Sequence, residues 1–120
     1  MVEKVNVEEK LERFSEYWSP KIISELNDFY VKAVKFKGEF VWHHHEVEDE
    51  LFYVVKGRLV IKLRDGEVVL DPGEFVVIPH KVEHLPIAEE EVHVLLLEPK
   101  TTVNTGTESN ERTVRELGRV

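Results

Sequence analysis

The sequence predicts an all-β domain, an antiparallel sandwich or barrel with a short N-terminal helix, and three observations predict it. From Asp28 onward the chain breaks into short runs rich in Val, Ile, Leu, Phe and Tyr. Gly38, Gly57, Gly66, Pro72-Gly73, Pro79 and Pro86 separate those runs, as turn-forming residues separate short strands. At 120 residues, the chain has room for one compact domain with a hydrophobic core, and is too short for two of ordinary size.

Taken in order, Val7, Leu11, Phe14, Tyr17 and Trp18 fall at helical spacing, with Glu8, Glu9, Glu12 and Glu16 outside the apolar stripe. A helix is therefore expected over 7–18, with Pro20 marking its end. Strands are expected at about 29–37, 39–45, 50–56, 58–64, 67–71, 74–79, 83–88 and 91–98. Asp65-Gly66 is the clearest hairpin turn signal. After Pro99, residues 101–110 are too polar to bury much apolar surface, and 111–120 is expected to form a short terminal helix. The expected division is a lead-in over 1–27, a barrel over 28–98 and a polar tail over 99–120.

Composition removes several function classes. Asp and Glu number 24 against 16 Lys and Arg, a formal charge of -8, and the basic residues form no run. A nucleic-acid or anionic-membrane partner, which needs a positive patch, is not expected. With no cysteine, any metal must be held by nitrogen and oxygen. Met1 to Lys10 carries five charged side chains, and no membrane-length apolar run exists anywhere, so the chain reads as soluble and cytoplasmic.

All six histidines lie between residues 43 and 93. Alternation along an extended segment sends His43 and His45 to one face, and His44, Trp42 and Phe40 to the other. Two imidazoles so placed converge naturally on one ion at about 2.0–2.2 Å. Glu50 opens the next strand, where a chain reversal returns its carboxylate to the pair, and His84 is the candidate fourth ligand. Imidazoles with one carboxylate suit one divalent ion of Mn, Fe, Co, Ni, Cu or Zn, with no thiolate to choose among them.

At these residues the sequence resembles the cupin superfamily. Its first motif is matched by Gly38, His43, His45, Glu50 and Gly57, and its second by Gly73, Pro79 and His84. There are departures: Gly38 stands one residue closer to His43 than is usual, Lys81 stands where glycine is typical, and Ala88 where asparagine is common. The resemblance implies a double-stranded β-helix, a jelly-roll-type barrel, over about residues 28–98, with His43, His45, Glu50 and His84 holding the metal. It also implies a homodimer and a small-molecule ligand. Small cupins of this kind resemble mannose-6-phosphate isomerase-like proteins and dioxygenases.

The function expected is a metal-binding cupin, a metal-dependent enzyme acting on a small molecule in isomerase-like or dioxygenase-like fashion; the alternative is a non-catalytic small-molecule or metal-binding cupin. No general base stands outside the ligand set, and no glycine-rich phosphate cradle is present, which weighs against a sugar-phosphate substrate. Lys32 and Lys35 are the candidates for an anion contact. His44 is expected at the surface or an interface, His80 in a solvated loop, and His93 in the core, with orientation of a metal ligand as its second role. Trp42 and Tyr53 are packing or dimer residues by parity, while Phe52, Val54, Leu59, Ile61 and Leu63 face the barrel interior. Glu46, Asp49 and Glu89 to Glu91 read as solvated turn charges, and Glu48 as the substitute ligand for Glu50.

Overall fold

Alternating apolar residues build the molecule around one long strand. The structure, a computed structural model, describes residues 2–120, so Met1 of the expected lead-in lies outside the described residues. In chain order it contains α1 (Val7–Leu11), β1 (Lys21–Leu26), β2 (Phe29–Glu39), β3 (Glu50–Lys56), β4 (Leu59–Leu63), β5 (Gly66–Leu70), β6 (Phe75–Ile78), β7 (His84–Pro99) and β8 (Gly118–Arg119). Every pairing among them is antiparallel except β1 with β8.

β7 belongs to both halves of the barrel. Its first residues lie between β4 and the end of β2, and its later residues between β3 and the start of β2. The change of partner occurs at a bulge: Phe36 pairs with Val92, but Gly38 pairs with Ala88, leaving Glu89, Glu90 and Glu91 exposed opposite Lys37. Extra residues on one strand bend it sharply, and Gly38, at φ 87°, supplies the backbone conformation that other residues resist. One half is ordered β5-β4-β7-β2; the other runs β6-β3-β7-β2-β1-β8.

Inward-facing residues from both halves fill one core, with Val54, Leu59, Ile61, Val92 and Val94 fully buried. Each such side chain contributes roughly 1.5–3 kcal/mol relative to an exposed one. A second cluster lies outside the sheet, where Leu11 and Phe14 cover Ala33, Val55 and Leu95. The mostly β fold with a short N-terminal helix is the jelly-roll, double-stranded β-helix arrangement expected.

Several boundaries differ from the sequence reading. The helix stops at Leu11 rather than Trp18: Asn6 caps its start by accepting from the Glu9 amide at 3.0 Å, but Trp18 adopts φ 59° to enter the barrel. β1 was not expected, because its outer residues are polar. Segment 39–45 forms no full strand: β2 ends at Glu39, and only His43 makes an isolated bridge, to His84. The two strands expected at 83–88 and 91–98 are the single β7, continuous through its bulge. The β4–β5 hairpin closes on the Leu63–Gly66 pair, so Arg64 and Asp65 occupy the turn, one residue earlier than read. No helix forms at 111–120; Gly118 and Arg119 join the sheet beside β1 instead. Among the described residues, no helix is long and apolar enough to cross a membrane.

Candidate metal centre

His43, His45, Glu50 and His84 converge, and the backbone explains why. The His43 amide donates to the His84 carbonyl at 3.1 Å, and the His84 amide returns the bond to His43 at 2.9 Å. This reciprocal pair sets two imidazoles side by side at the start of β7, their ring centroids 4.2 Å apart. The extended backbone keeps His43 and His45 on the inner face, and β3 begins with Glu50 facing the same interior. One nitrogen or oxygen from each of the four residues lies within 4.8 Å of the others, and all four side chains are buried.

Hydrogen bonding orients the rings. His43 Nδ1 donates to the Val41 carbonyl, and His84 Nδ1 to the Val82 carbonyl, both at 2.9 Å. Each ring then carries its lone pair on Nε2, directed inward. His45 Nε2 and His84 Nε2 each stand 3.4 Å from Glu50 Oε1. None of these three atoms makes a hydrogen bond, and all are buried. Unpartnered buried polar atoms are costly unless a cation satisfies them. Burial, with the neighbouring His84, lowers the His43 pKa to about 4, so its imidazole is neutral and ready to ligate. The cluster is capable of coordinating a single divalent transition-metal ion.

Behind Glu50 lies a pair of which sequence reasoning named only Lys32, as a candidate anion contact. Lys32 and Glu98, both 1% exposed, meet at 2.6 Å inside the barrel. Burial and the adjacent Glu50 charge push the Glu98 carboxyl well above the usual range. Burial acts upward on Glu50 too, but the neighbouring Glu98, His45 and His84 side chains hold it well below the usual range. The Lys32 ammonium meets Glu98 Oε1, while Glu98 Oε2 is buried without a hydrogen-bond partner. Parity was the available signal: Glu98 continues the inward series Val92, Val94, Leu96, and Lys32 precedes Val34 and Phe36.

The remaining candidates lie elsewhere. Lys32 is engaged by Glu98, and Lys35 bonds the Phe14 carbonyl at 2.7 Å on the outer surface, so neither anion-contact candidate reaches the cluster. Glu48 accepts from Thr101 at 2.7 Å and is not the substitute ligand. His44 pairs with Glu46, and exposed His80 with Asp49. His93 is not a core residue: its parity is outward, where it bonds Glu91 at 2.6 Å. Lys81, in the position where glycine is typical, adopts φ 70°, the glycine-like turn, and its amide reaches the His45 carbonyl. Ala88 is simply core. Trp42 packs under the Arg64 guanidinium at 3.8 Å.

Above the cluster the barrel mouth narrows to a cavity. Trp18, Phe36, Phe40, Phe52, Pro86 and Leu96 line it, with His43 and Glu50 at its floor. Trp18 stacks on Phe36 and Phe40, with centroids 4.4 and 4.8 Å away. A strap after Pro99 crosses the opening: the Thr107 amide bonds the His44 carbonyl, and Gly106 packs so closely there that a Cβ would run into that oxygen.

Comparison with known proteins agrees with this geometry. The family model described as a cupin domain matches residues 32–98. The uncharacterized protein YdbB of Bacillus subtilis (strain 168) is 44% identical over 63 residues, 52% of this chain. That match spans 56% of YdbB, so the chain covers little more than half of this curated relative. A solved cupin-2 domain containing protein from Shewanella frigidimarina NCIMB 400 shares 46% identity at TM-score 0.79, covering 80% of this chain and 94% of that one. Protein NMB1881 from Neisseria meningitidis is 31% identical at TM-score 0.74, covering 82% of this chain and all of that one, 100%.

Proposed function

This chain belongs to the cupin domain family, and on that premise we propose that it is a metal-dependent enzyme acting on a small molecule, with one divalent transition-metal ion held by His43, His45, Glu50 and His84. The observation that carries this reading is the set of buried, unpartnered atoms facing one another: His45 Nε2, His84 Nε2 and Glu50 Oε1. Such an ion supplies Lewis acidity, or one-electron chemistry if it is redox-active. The chain's own residues do the rest. The Val41 and Val82 carbonyls fix two ring tautomers. The aromatic mouth keeps bulk water from the floor of the cavity.

Of the finer readings, the dioxygenase-like one is better supported than the sugar-phosphate, mannose-6-phosphate isomerase-like one. No lysine or arginine lines the cavity to receive a phosphate. The non-catalytic reading is favoured by one observation: the only titratable cavity groups are His43 and Glu50, both in the proposed ligand set. Turnover separates the two.

The test is elemental mass spectrometry of protein purified without chelator or histidine tag. About one transition metal per chain is expected, lost in His45→Ala. A wild type that arrives metal-free and cannot be reloaded defeats the proposal.

A further inference from the structure

The metal centre is closed off. His43, His45, Glu50 and His84 are each no more than 3% exposed, and the cavity over them amounts to about 20 Å³. Roughly 10–15 Å³ is needed to hold one water, so no organic molecule fits while the mouth stands as it does. Something there has to move before a ligand reaches the cluster, and the barrel walls do not offer it. Phe36, Phe52, Pro86 and Leu96 lie in the ladders of β2, β3 and β7. Phe40 is tied by its amide to the Pro86 carbonyl at 3.0 Å. Trp18 is tied twice, by its amide to the Lys35 carbonyl and by its indole N–H to the Lys37 carbonyl, each at 2.9 Å.

Asn104 belongs instead to the strap, residues 101–117, which runs between β7 and β8. The strap is knitted to itself. Asn104 Nδ2 donates to the Arg112 carbonyl at 2.7 Å, and Asn104 Oδ1 accepts from the Val114 amide at 2.8 Å. The buried Thr105 hydroxyl donates to the Glu108 carbonyl and meets the Thr113 hydroxyl, each at 2.7 Å. Surface loops packed by their own side chains in this way are compact units. Both ends are fixed: the Lys100 amide bonds the Asp28 carbonyl at 2.9 Å, and Gly118 pairs with Lys21 in the sheet. Between those ends the grip on the barrel is slight. The Thr107 amide bonds the His44 carbonyl at 3.2 Å, the Thr101 hydroxyl bonds Glu48 at 2.7 Å, and the Arg112 guanidinium lies 5.5 Å from the Trp18 ring. Gly106 sits over the cluster itself, where a Cβ would lie 3.4 Å from His43 Cδ2.

Resting on the metal-dependent reading above, we infer that the strap is a lid. It swings off the mouth as one body to admit a small molecule to the metal centre, and closes again to exclude water while the molecule is held. Segments held by few contacts open first and ladder strands last. Because only the open form admits a ligand, the rate of entry scales with the fraction of chains whose strap is undocked. Gly106 sets that fraction through its approach to the His44 carbonyl, which leaves no room for a Cβ.

Stopped-flow uptake of cobalt(II) by the full chain, stripped beforehand with EDTA, tests this, the ion itself serving as the probe. End-point stoichiometry is read first. A wild type that takes up no cobalt overturns the metal reading itself, and this inference with it. Where cobalt is taken up, Gly106→Ala is expected to speed uptake about thirtyfold at unchanged stoichiometry. Hydrogen exchange supplies a readout that general destabilisation does not mimic. The Thr107 and Val114 amides are expected to exchange together, about a hundredfold faster than those of Val94 and Leu96 in β7, and to accelerate in the variant while those of β7 do not. If Gly106→Ala does not fold, Asn104→Ala, which unknits the strap from within, repeats both measurements. Uptake that neither variant accelerates, or strap amides that exchange only at the rate of β7, means that the strap stays closed and overturns the inference while the metal reading stands.

Discussion

Glu91 gathers two hydrogen bonds on an exposed carboxylate: the Tyr17 hydroxyl donates to it at 2.6 Å, and His93 lies 2.6 Å from its other oxygen. These bonds, that of Tyr17 foremost, lower its pKa to about 2. A carboxylate depressed in the folded state stabilises the fold above its unfolded pKa, and that contribution is lost as pH falls from about 4.5 toward 2. Glu91→Gln is therefore expected to flatten the acid limb of stability in that window, seen by circular dichroism melts at stepped pH. Because the group is open to solvent, the loss at neutral pH is only about 0.5 kcal/mol. The four cluster residues were legible at this same scale, since alternation along an extended segment is enough to separate His43 and His45 from His44. Glu98 was not assigned to the site and Lys32 was read only as an anion contact, because a lone charge in an apolar run shows its partner only when the register of β2 against β7 is known.

Among the elements, those defined by alternation and turns were read to within a residue or so: β3, β4, β5 and β6. Elements defined by distant pairing were not. β1 is a strand because Lys21 and Ile22 lie between β2 and β8, a neighbourhood its own polar side chains do not announce. The helix is short for a similar reason, as Phe14 and Trp18 are drawn to two different clusters, one outside the sheet and one inside. The strap depends on a contact rather than a pattern. Gly106→Ala places a methyl against the His44 carbonyl, and is expected to destabilise the docked strap by about 2 kcal/mol. Limited proteolysis should then cut within residues 101–117 faster than in the wild type, while metal content is retained. Unchanged cleavage would show that the close approach does not hold the strap down.

For the whole molecule, the barrel leaves one outer face incompletely covered. Phe75 pairs across to Tyr53 and Leu95, and Val77 to Leu51 and Leu97, forming two apolar rows over three strands. At the edge, Phe75 is 60% exposed and Val77 47%, and β6 pairs only with β3. We propose a second copy of the chain as its occupant, since a two-fold dimer sets the same rows against each other. Sedimentation equilibrium should find a dimer that Phe75→Glu converts to monomer; a monomeric wild type would falsify the pairing.

The strand shared by both halves carries His84 at one end and Glu98 at the other, whereas Trp18 and Asn104 sit on segments that contribute none of the clustered residues. Heredity can act on the two parts at different rates. Drift in the flanking segments reshapes the doorway without disturbing the hearth, so descendants of one ancestral barrel can diverge in diet while inheriting the same cluster intact.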